Sequence, residues 1–217
     1  MNITYLTISA ISVALLPLAA TAQDIGDTTV SFGASTFGAN LEAAYQLDSQ
    51  WRVRGALMGG INYDDTSFED GNEYNIDASL GAFAVLADYY PTMSGWRVSG
   101  GLLVNRTSLD ATTTATGSGI EIDGETFDEG SVTLSGDFAK SVSPMVTTGY
   151  DYRLNNAWSI SGEIGVVYTG GIDLDATGST TELQNAIDNS QDFEDIRKDA
   201  SDVTFYPYIS VTVGYGF

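Results

Sequence analysis

The groups in this chain that could do chemistry are carboxylates and guanidiniums, and they occur in two patterns. In the first, Asp173-x-Asp175-x-Thr177-Gly178-Ser179-x-Thr181 reproduces the spacing of the first half of a calcium-binding loop, which offers oxygens from alternate positions to a hard cation. The twelfth position is Gln184, where such a loop needs a bidentate Glu. Asp173, Asp175 and Thr177 therefore read mainly as a solvated anionic surface with loose divalent binding. In the second pattern, charged residues alternate with apolar ones: Glu42, Asp77, Asp137, Asp151 and Glu163 together with Arg52, Arg54, Arg97 and Arg153. Acids and bases in nearly equal number on one face suit paired, hydrogen-bonded layers in a buried space, and Glu42 and Arg54 lie across a short turn at a separation that fits a cross-strand pair. The chain has no His and no Cys. The commonest general base and the leading transition-metal ligand are therefore missing, as are thiolate nucleophiles, Cys-based zinc sites and disulfides. No cofactor and no enzymatic activity are expected.

The 217 residues include 8 Lys+Arg against 29 Asp+Glu, a net charge of -21. A nucleic-acid partner is excluded, because such binding begins with Lys and Arg neutralising phosphates. The charge alone would fit disorder, but 43% hydrophobic and 11% aromatic residues demand a buried surface.

Residues Met1 to Ala22 read as a secretory signal, with an apolar stretch from Ile8 to Ala20 and Ala20-Thr21-Ala22 before Gln23. Cleavage is expected after Ala22, leaving 23–217 as one domain. The alternative, a retained membrane anchor, is opposed by Pro17 and by the small-residue cleavage site. Beyond the leader the dominant signal is alternation with period two, the mark of strands with one apolar and one polar face. Trp51 to Tyr63 and Phe205 to Phe217 both show it, and both exceed the ~9 to 11 residues with which a tilted strand crosses a bilayer. Short connections at Leu47 to Gln50, Pro91 to Gly95 and Leu154 to Asn156 alternate with long ones at Asp64 to Glu73, Leu109 to Ser131 and Gly171 to Asp202. Thr28 to Gln46 divides into two strands at a tight turn around Phe37-Gly38. The expected architecture is all-β: an eight-stranded antiparallel up-and-down transmembrane β-barrel with short turns at one end and long acidic loops at the other.

A repeat of the form Tyr-x5-Trp-x-[Val/Ile]-x-Gly marks three hairpins through Tyr45 and Trp51, Tyr90 and Trp96, and Tyr152 and Trp158. Tyr and Trp favour the membrane interface, so three such turns at one height make an aromatic girdle. A soluble β core capped by large aromatics is the competing reading. The three long connections hold twenty of the 29 acids and only Arg197 and Lys198 as bases, which leaves the strands nearly neutral. An eight-stranded barrel has room inside only for side chains, so its charged lumen should be packed, with a continuous water channel as the second reading. Arg106 and Lys140 break the outward apolar pattern toward the long-loop end; contact with lipid phosphates and a register-shifting bulge would each account for them. From Thr180 to Ala200, Leu183, Ala186, Ile187, Phe193 and Ile196 have partly helical spacing, which predicts a short amphipathic helix that shields its own apolar face, covers the barrel mouth or docks a partner.

These features carry a resemblance. The Ala-x-Ala signal, the alternating short and long connections, and the terminal Ile209-x-Val211-x-Val213-x-Tyr215-x-Phe217 resemble Gram-negative outer-membrane barrels of the OmpA-like superfamily. The strand from Trp51 to Gly55 followed by Asn62-Tyr63-Asp64-Asp65, the segment Leu86-Ala87-Asp88-Tyr89-Tyr90-Pro91, and the acidic stretch before Phe205-Tyr206-Pro207 are similar to a group of small proteobacterial outer-membrane proteins. The resemblance implies an outer-membrane location, contact with outer-membrane lipid and lipopolysaccharide, and recognition of Val213, Tyr215 and Phe217 by the insertion machinery. Barrel enzymes of this superfamily and its neighbours rely on a histidine, which this chain lacks, so their catalytic apparatus does not carry over. The expected role is that of a monomeric structural and surface-interaction barrel. A small transport barrel for ions or an apolar solute is the first alternative, and a soluble secreted β protein the second.

Overall fold

The computed structural model describes residues 28–217 except 70, 71, 93, 118 and 156; the leader and its cleavage site lie outside the described residues. The strands in chain order are β1 (Thr28–Ser35), β2 (Gly38–Gln46), β3 (Trp51–Glu69), β4 (Asn72–Tyr89), β5 (Trp96–Asn105), β6 (Ser108–Ala115), β7 (Ile120–Ile122), β8 (Glu125–Phe127), β9 (Ser131–Phe138), β10 (Val142–Arg153), β11 (Trp158–Tyr168) and β12 (Ile172–Gly178). Helices α1 (Thr181–Asn189) and α2 (Gln191–Asp202) precede the last strand, β13 (Phe205–Gly216). Eight strands close a ring in the order β1-β2-β3-β4-β5-β10-β11-β13, each antiparallel to the next, and β13 returns to β1 with Phe32 opposite Val213. Closure leaves the ring without an edge strand. The division of Thr28 to Gln46 into two strands holds, with Thr36 and Phe37 at the turn.

The long connections are not loops. β3 and β4 continue past the ring as a hairpin. The outer half of β4 pairs with β6, β6 with β9, and β9 with β12, which builds a five-stranded distal sheet beyond the rim. The transition is local. β3 has a bulge between Gly59 and Ile61, where Gly60 adopts φ 84°, a conformation glycine takes without a Cβ clash. Opposite the bulge, β4 exchanges one partner for another, pairing with β5 up to Ala82 and with β6 from Ser79 outward.

The outer face of the wall changes character at this level. On β4, Phe83 and Val85 are exposed on the outward face of the barrel, and the same face continues outward as Ser79, Asp77, Asn75 and Glu73. Its inward face carries Ala82, Ala84 and Leu86 in the barrel and continues as Ala78, Ile76 and Tyr74 in the distal sheet. On β4 the outside is therefore apolar below the rim and polar above it, while the inside stays apolar across the boundary. The β9 and β12 part of that apolar side is covered by the β7–β8 hairpin and α1, whose Leu183 and Ile187 are buried with Ile120, Ile122, Val132 and Ala176, while Ile76 and Leu109 nearer the rim stay exposed. The single predicted helix is two helices. Thr180 caps α1 and the buried Ser190 caps α2, accepting a hydrogen bond from Phe193 N at 3.3 Å. Both helices pack along β12, and Arg197 Nε donates to Leu174 O at 3.2 Å on its outer edge. The helices thus shield an edge strand; α1 buries its own Leu183 and Ile187, whereas α2 buries no residue and leaves Ile196 exposed, so the self-shielding reading describes α1 alone.

Candidate functional site

The lumen is filled in two layers. In the half nearer the short turns, three arginines and four carboxylates interlock. Arg54 donates from Nη1 to Glu163 Oε2 at 2.8 Å and from Nη2 to Glu163 Oε1 at 2.7 Å. The same guanidinium reaches Glu42 Oε1 at 3.1 Å and Asp88 Oδ1 at 3.3 Å. Arg97 donates from Nε to Asp151 Oδ1 at 3.1 Å and from Nη2 to Glu163 Oε2 at 3.2 Å. Arg52 donates from Nε to Asp88 Oδ2 at 2.7 Å and lies 3.1 Å from Asp151 Oδ2 through Nη1. Neutral donors complete the carboxylate shells: Tyr90 and Ser161 hydroxyls on Asp151 at 2.6 and 2.7 Å, Asn40 on Glu42 at 2.7 Å, and Thr147 on Glu163. Such cross-linking is what a buried set of charges requires, since each ion removed from water must recover its lost hydration from fixed partners. Among these groups, Arg54 Nε and Asn40 Oδ1 are buried without a partner.

The outer half of the lumen is apolar. Ala56, Met58, Ala82, Ala84, Leu86, Leu103, Met145, Val167 and Tyr208 form one buried cluster around Phe37. Phe37 is at the β1–β2 turn, where a side chain would ordinarily meet solvent, yet it is 0% exposed. Its ring lies 4.9 Å from that of Tyr206 and 6.5 Å from that of Phe138, and Tyr206 Oη donates to Thr36 O at 3.1 Å, tying the turn to the neighbouring end of β13. Below the ionic layer a cavity of about 580 Å³ opens at the short-turn end, lined by residues including Arg52, Tyr90, Asp151 and Arg153.

The residues expected in the lumen divide accordingly. Glu42, Arg52, Arg54, Arg97, Asp151 and Glu163 meet in one network. Arg153 is exposed at the short-turn mouth and joins no ion pair among the described residues. Asp77 and Asp137 are exposed on the polar outer face of the distal sheet, where Asp77 stands opposite both Asp64 and Asp110, and Asp137 opposite Asp173. Their alternation is genuine, but the outward face becomes polar above the rim, and both acids lie on it. Asp88 was not expected and is central, touching Arg52 and Arg54. Its signal is faint because neighbours on both sides, from Ala82 to Ala87, are apolar; a lone acid in an apolar strand is the available clue.

The aromatic pattern also needs one correction. Trp51, Trp96 and Trp158 are exposed at 45%, 41% and 40%, and Tyr152 is exposed beside them, while Tyr45 is half-buried on the outward face of β2. Tyr90 turns inward, its hydroxyl on Asp151 and its ring 5.2 Å from the Arg52 guanidinium. Tyr89 takes its outward place and stacks 4.8 Å from Trp51. At the chain end Tyr215 packs against both Trp158 and Phe217, and Val213 pairs with Ile160 and Phe32 across the closing seam. Asp173, Asp175 and Thr177 alternate along one exposed face of β12. An extended strand spreads alternate side chains along a line, whereas a calcium loop wraps them around a point, so the loop reading of these three residues fails on geometry. Among the described residues no group of three or more carboxylates is placed to hold a metal ion.

A closed ring of eight antiparallel strands in sequential order, with an apolar outer wall and a packed interior, defines an up-and-down β-barrel. No protein-family model matches the chain and no curated protein matches its sequence. Two solved barrel structures are similar to it: Acinetobacter baumannii CarO, with a TM-score of 0.60, and Acinetobacter baumannii CarO2, with a TM-score of 0.58. Each is 17% identical and is matched along 100% of its own length by 90% of this chain. The likeness establishes the shared barrel fold.

Proposed function

We propose that the chain is a Gram-negative outer-membrane barrel of the OmpA-like kind, exported by its N-terminal signal with cleavage after Ala22, which anchors a rigid acidic sheet on the outside of the cell and does not conduct. The observation that carries this reading is the doubly closed lumen, with an ionic layer crossing it at Arg54 and Glu163 and the Phe37 plug above. The apolar outer wall and the aromatic ring at the short turns support placement in a bilayer, with the short turns in the periplasm. A monomer is proposed because the ring satisfies all its own strand edges. The terminal Val213, Tyr215 and Phe217 are read as the insertion signal, lipopolysaccharide as the surrounding lipid, and the acidic outer face as a loose attractor of divalent cations. No catalytic role is assigned: the lumen holds no histidine or cysteine, and its carboxylates are fully engaged by arginines.

Planar-bilayer recording with the refolded chain tests the reading, the expected result being a flat trace. Discrete conductance steps would favour the transport barrel. Deletion of Phe217 should impair outer-membrane assembly, and a normal yield of folded, heat-modifiable protein would refute the terminal signal.

A further inference from the structure

We propose that the outer rim of the barrel binds the phosphate monoester of a membrane lipid through Arg106 and Lys140. The proposal rests on the membrane orientation above. β5 and β10 pair with Val104 opposite Val142, and Asn105 N donates to Ser141 O at 2.9 Å one step further out, which makes Arg106 and Lys140 the next neighbours across the strand ends. Leu102 and Val142 are exposed on the outer wall. By alternation from these, both basic residues follow on that same outward face. Arg106 N donates to Gly81 O at 2.9 Å, at the level where the outer face of β4 changes from Phe83 and Val85 to Ser79 and Asp77. The two cations therefore stand at the boundary between the apolar wall and the polar sheet.

Neither cation is neutralised. Among the described residues neither forms an ion pair, and the Lys140 ammonium instead lies 5.4 Å from the ring centroid of Tyr168. Asp137 lines a groove of about 400 Å³ with Arg106 without pairing to it. In a chain of -21, with eight basic residues in all, three guanidiniums serve the lumen, Arg153 the opposite mouth, and Arg197 and Lys198 α2; the remaining two stand on these neighbouring strand ends. The guanidinium and the ammonium are carried by adjacent strand ends, the ammonium leaning toward Tyr168 on the β11 side, so each can take one oxygen of a phosphate bearing two ionisable oxygens. The groove beside Arg106 does not include Lys140 and is shared with the acidic Asp137, so it holds a free anion weakly. An amphiphile gains the contact of its acyl chains with Leu102, Val142 and Val146 directly beneath. The chemistry points to a phosphorylated lipid of the outer leaflet.

The chain refolded in phosphatidylcholine vesicles containing a small fraction of either phosphatidic acid or diacylglycerol, then extracted in neutral detergent, is read by native mass spectrometry. Retention of phosphatidic acid should exceed that of diacylglycerol by about tenfold, in keeping with two basic residues at a membrane surface. The Arg106→Gln/Lys140→Gln variant should fall to the diacylglycerol level while keeping the heat-modifiable band of the folded barrel. Equal retention of phosphatidic acid by a folded variant overturns the site and leaves the barrel reading intact. Displacement of the lipid by inorganic phosphate alone would make the site one for a free anion and overturn the lipid assignment. A chain that does not enter vesicles at all would overturn the membrane reading, and this site with it.

Discussion

Arg54 and Glu163 meet fork to fork across the full width of the barrel, at 2.8 and 2.7 Å, although 109 residues separate them in sequence. β3 and β11 stand four places apart in the ring of eight, so the pair ties opposite walls. Removing one partner strands the other in a dry interior: Glu163→Ala would leave parts of both Arg54 and Arg97 uncompensated and should cost about 3–5 kcal/mol. Urea unfolding followed by tryptophan fluorescence reads this as a lowered midpoint. A cycle with Arg54→Met should be non-additive, and additive effects would show that the two residues act separately.

Phe37→Ala should destabilise the barrel by about 3–5 kcal/mol, because the vacated space at the turn is bordered by Tyr206, Tyr208 and Phe138 and cannot collapse fully. The same variant should remain silent in planar bilayers. The ionic layer closes the lumen independently, so single-channel steps from Phe37→Ala alone would mean that the aromatic plug is the only barrier.

The distal sheet should loosen as pH rises. Asp77 faces Asp64 and Asp110 in register, and its hydrogen bond with Asp64, with some desolvation and the repulsion of both neighbours, raises its pKa above the ordinary value of 3.8. A folded state that holds the proton more tightly than the unfolded chain is favoured below the ordinary carboxylate pKa and loses that advantage as pH rises through the raised one. Exchange protection of the β4 amides near Asp77, corrected for intrinsic rates, should therefore decline across that window. In Asp77→Asn the decline should vanish; its persistence would place the pH dependence elsewhere.

Leu183→Ala should loosen the distal layer without opening the ring. Leu183 is 0% exposed against Ile120, Ile122, Val132 and Ala176, none of which lies in the barrel wall, so a cost of about 2–5 kcal/mol should be confined there. Limited proteolysis between Gly171 and Asp202 should accelerate while heat-modifiable mobility is retained. Loss of both would indicate a single cooperative unit.

The hairpins and the outward tryptophans were legible in sequence because a strand in a barrel wall has only two environments, outer surface and lumen, and period-two alternation reports both. Legibility failed where that rule changes. Asp77 and Asp137 alternate as lumen residues would, but their strands have left the wall, and the outward face that is apolar lower down is polar there. Asp88 was hidden by the opposite circumstance: the outer lumen is itself apolar, so the barrel half of β4, Ala82–Tyr89, carries apolar residues on both faces and its one acid does not stand out as part of a pattern. Tyr90 follows directly after β4, and whether its ring turns outward or toward Asp151 depends on where the strand ends, which no repeat encodes.

By itself, the order of residues determined that this chain is a β protein of short hairpins with an acidic end, an apolar wall and no means of histidine or thiol chemistry, because composition and periodicity are properties of neighbours along the chain. The tertiary structure alone decided that the acidic connections are a folded sheet and that the lumen is closed twice. Both depend on partners far apart in sequence: β4 with β6 and β9 beyond the rim, Arg54 with Glu163, and Phe37 with Tyr206. Ring closure brings Phe37 to Tyr206 across the β1–β13 seam and Arg54 to Glu163 across the lumen; the first distance is set by strand pairing and the second by the diameter of the barrel, neither by spacing along the chain.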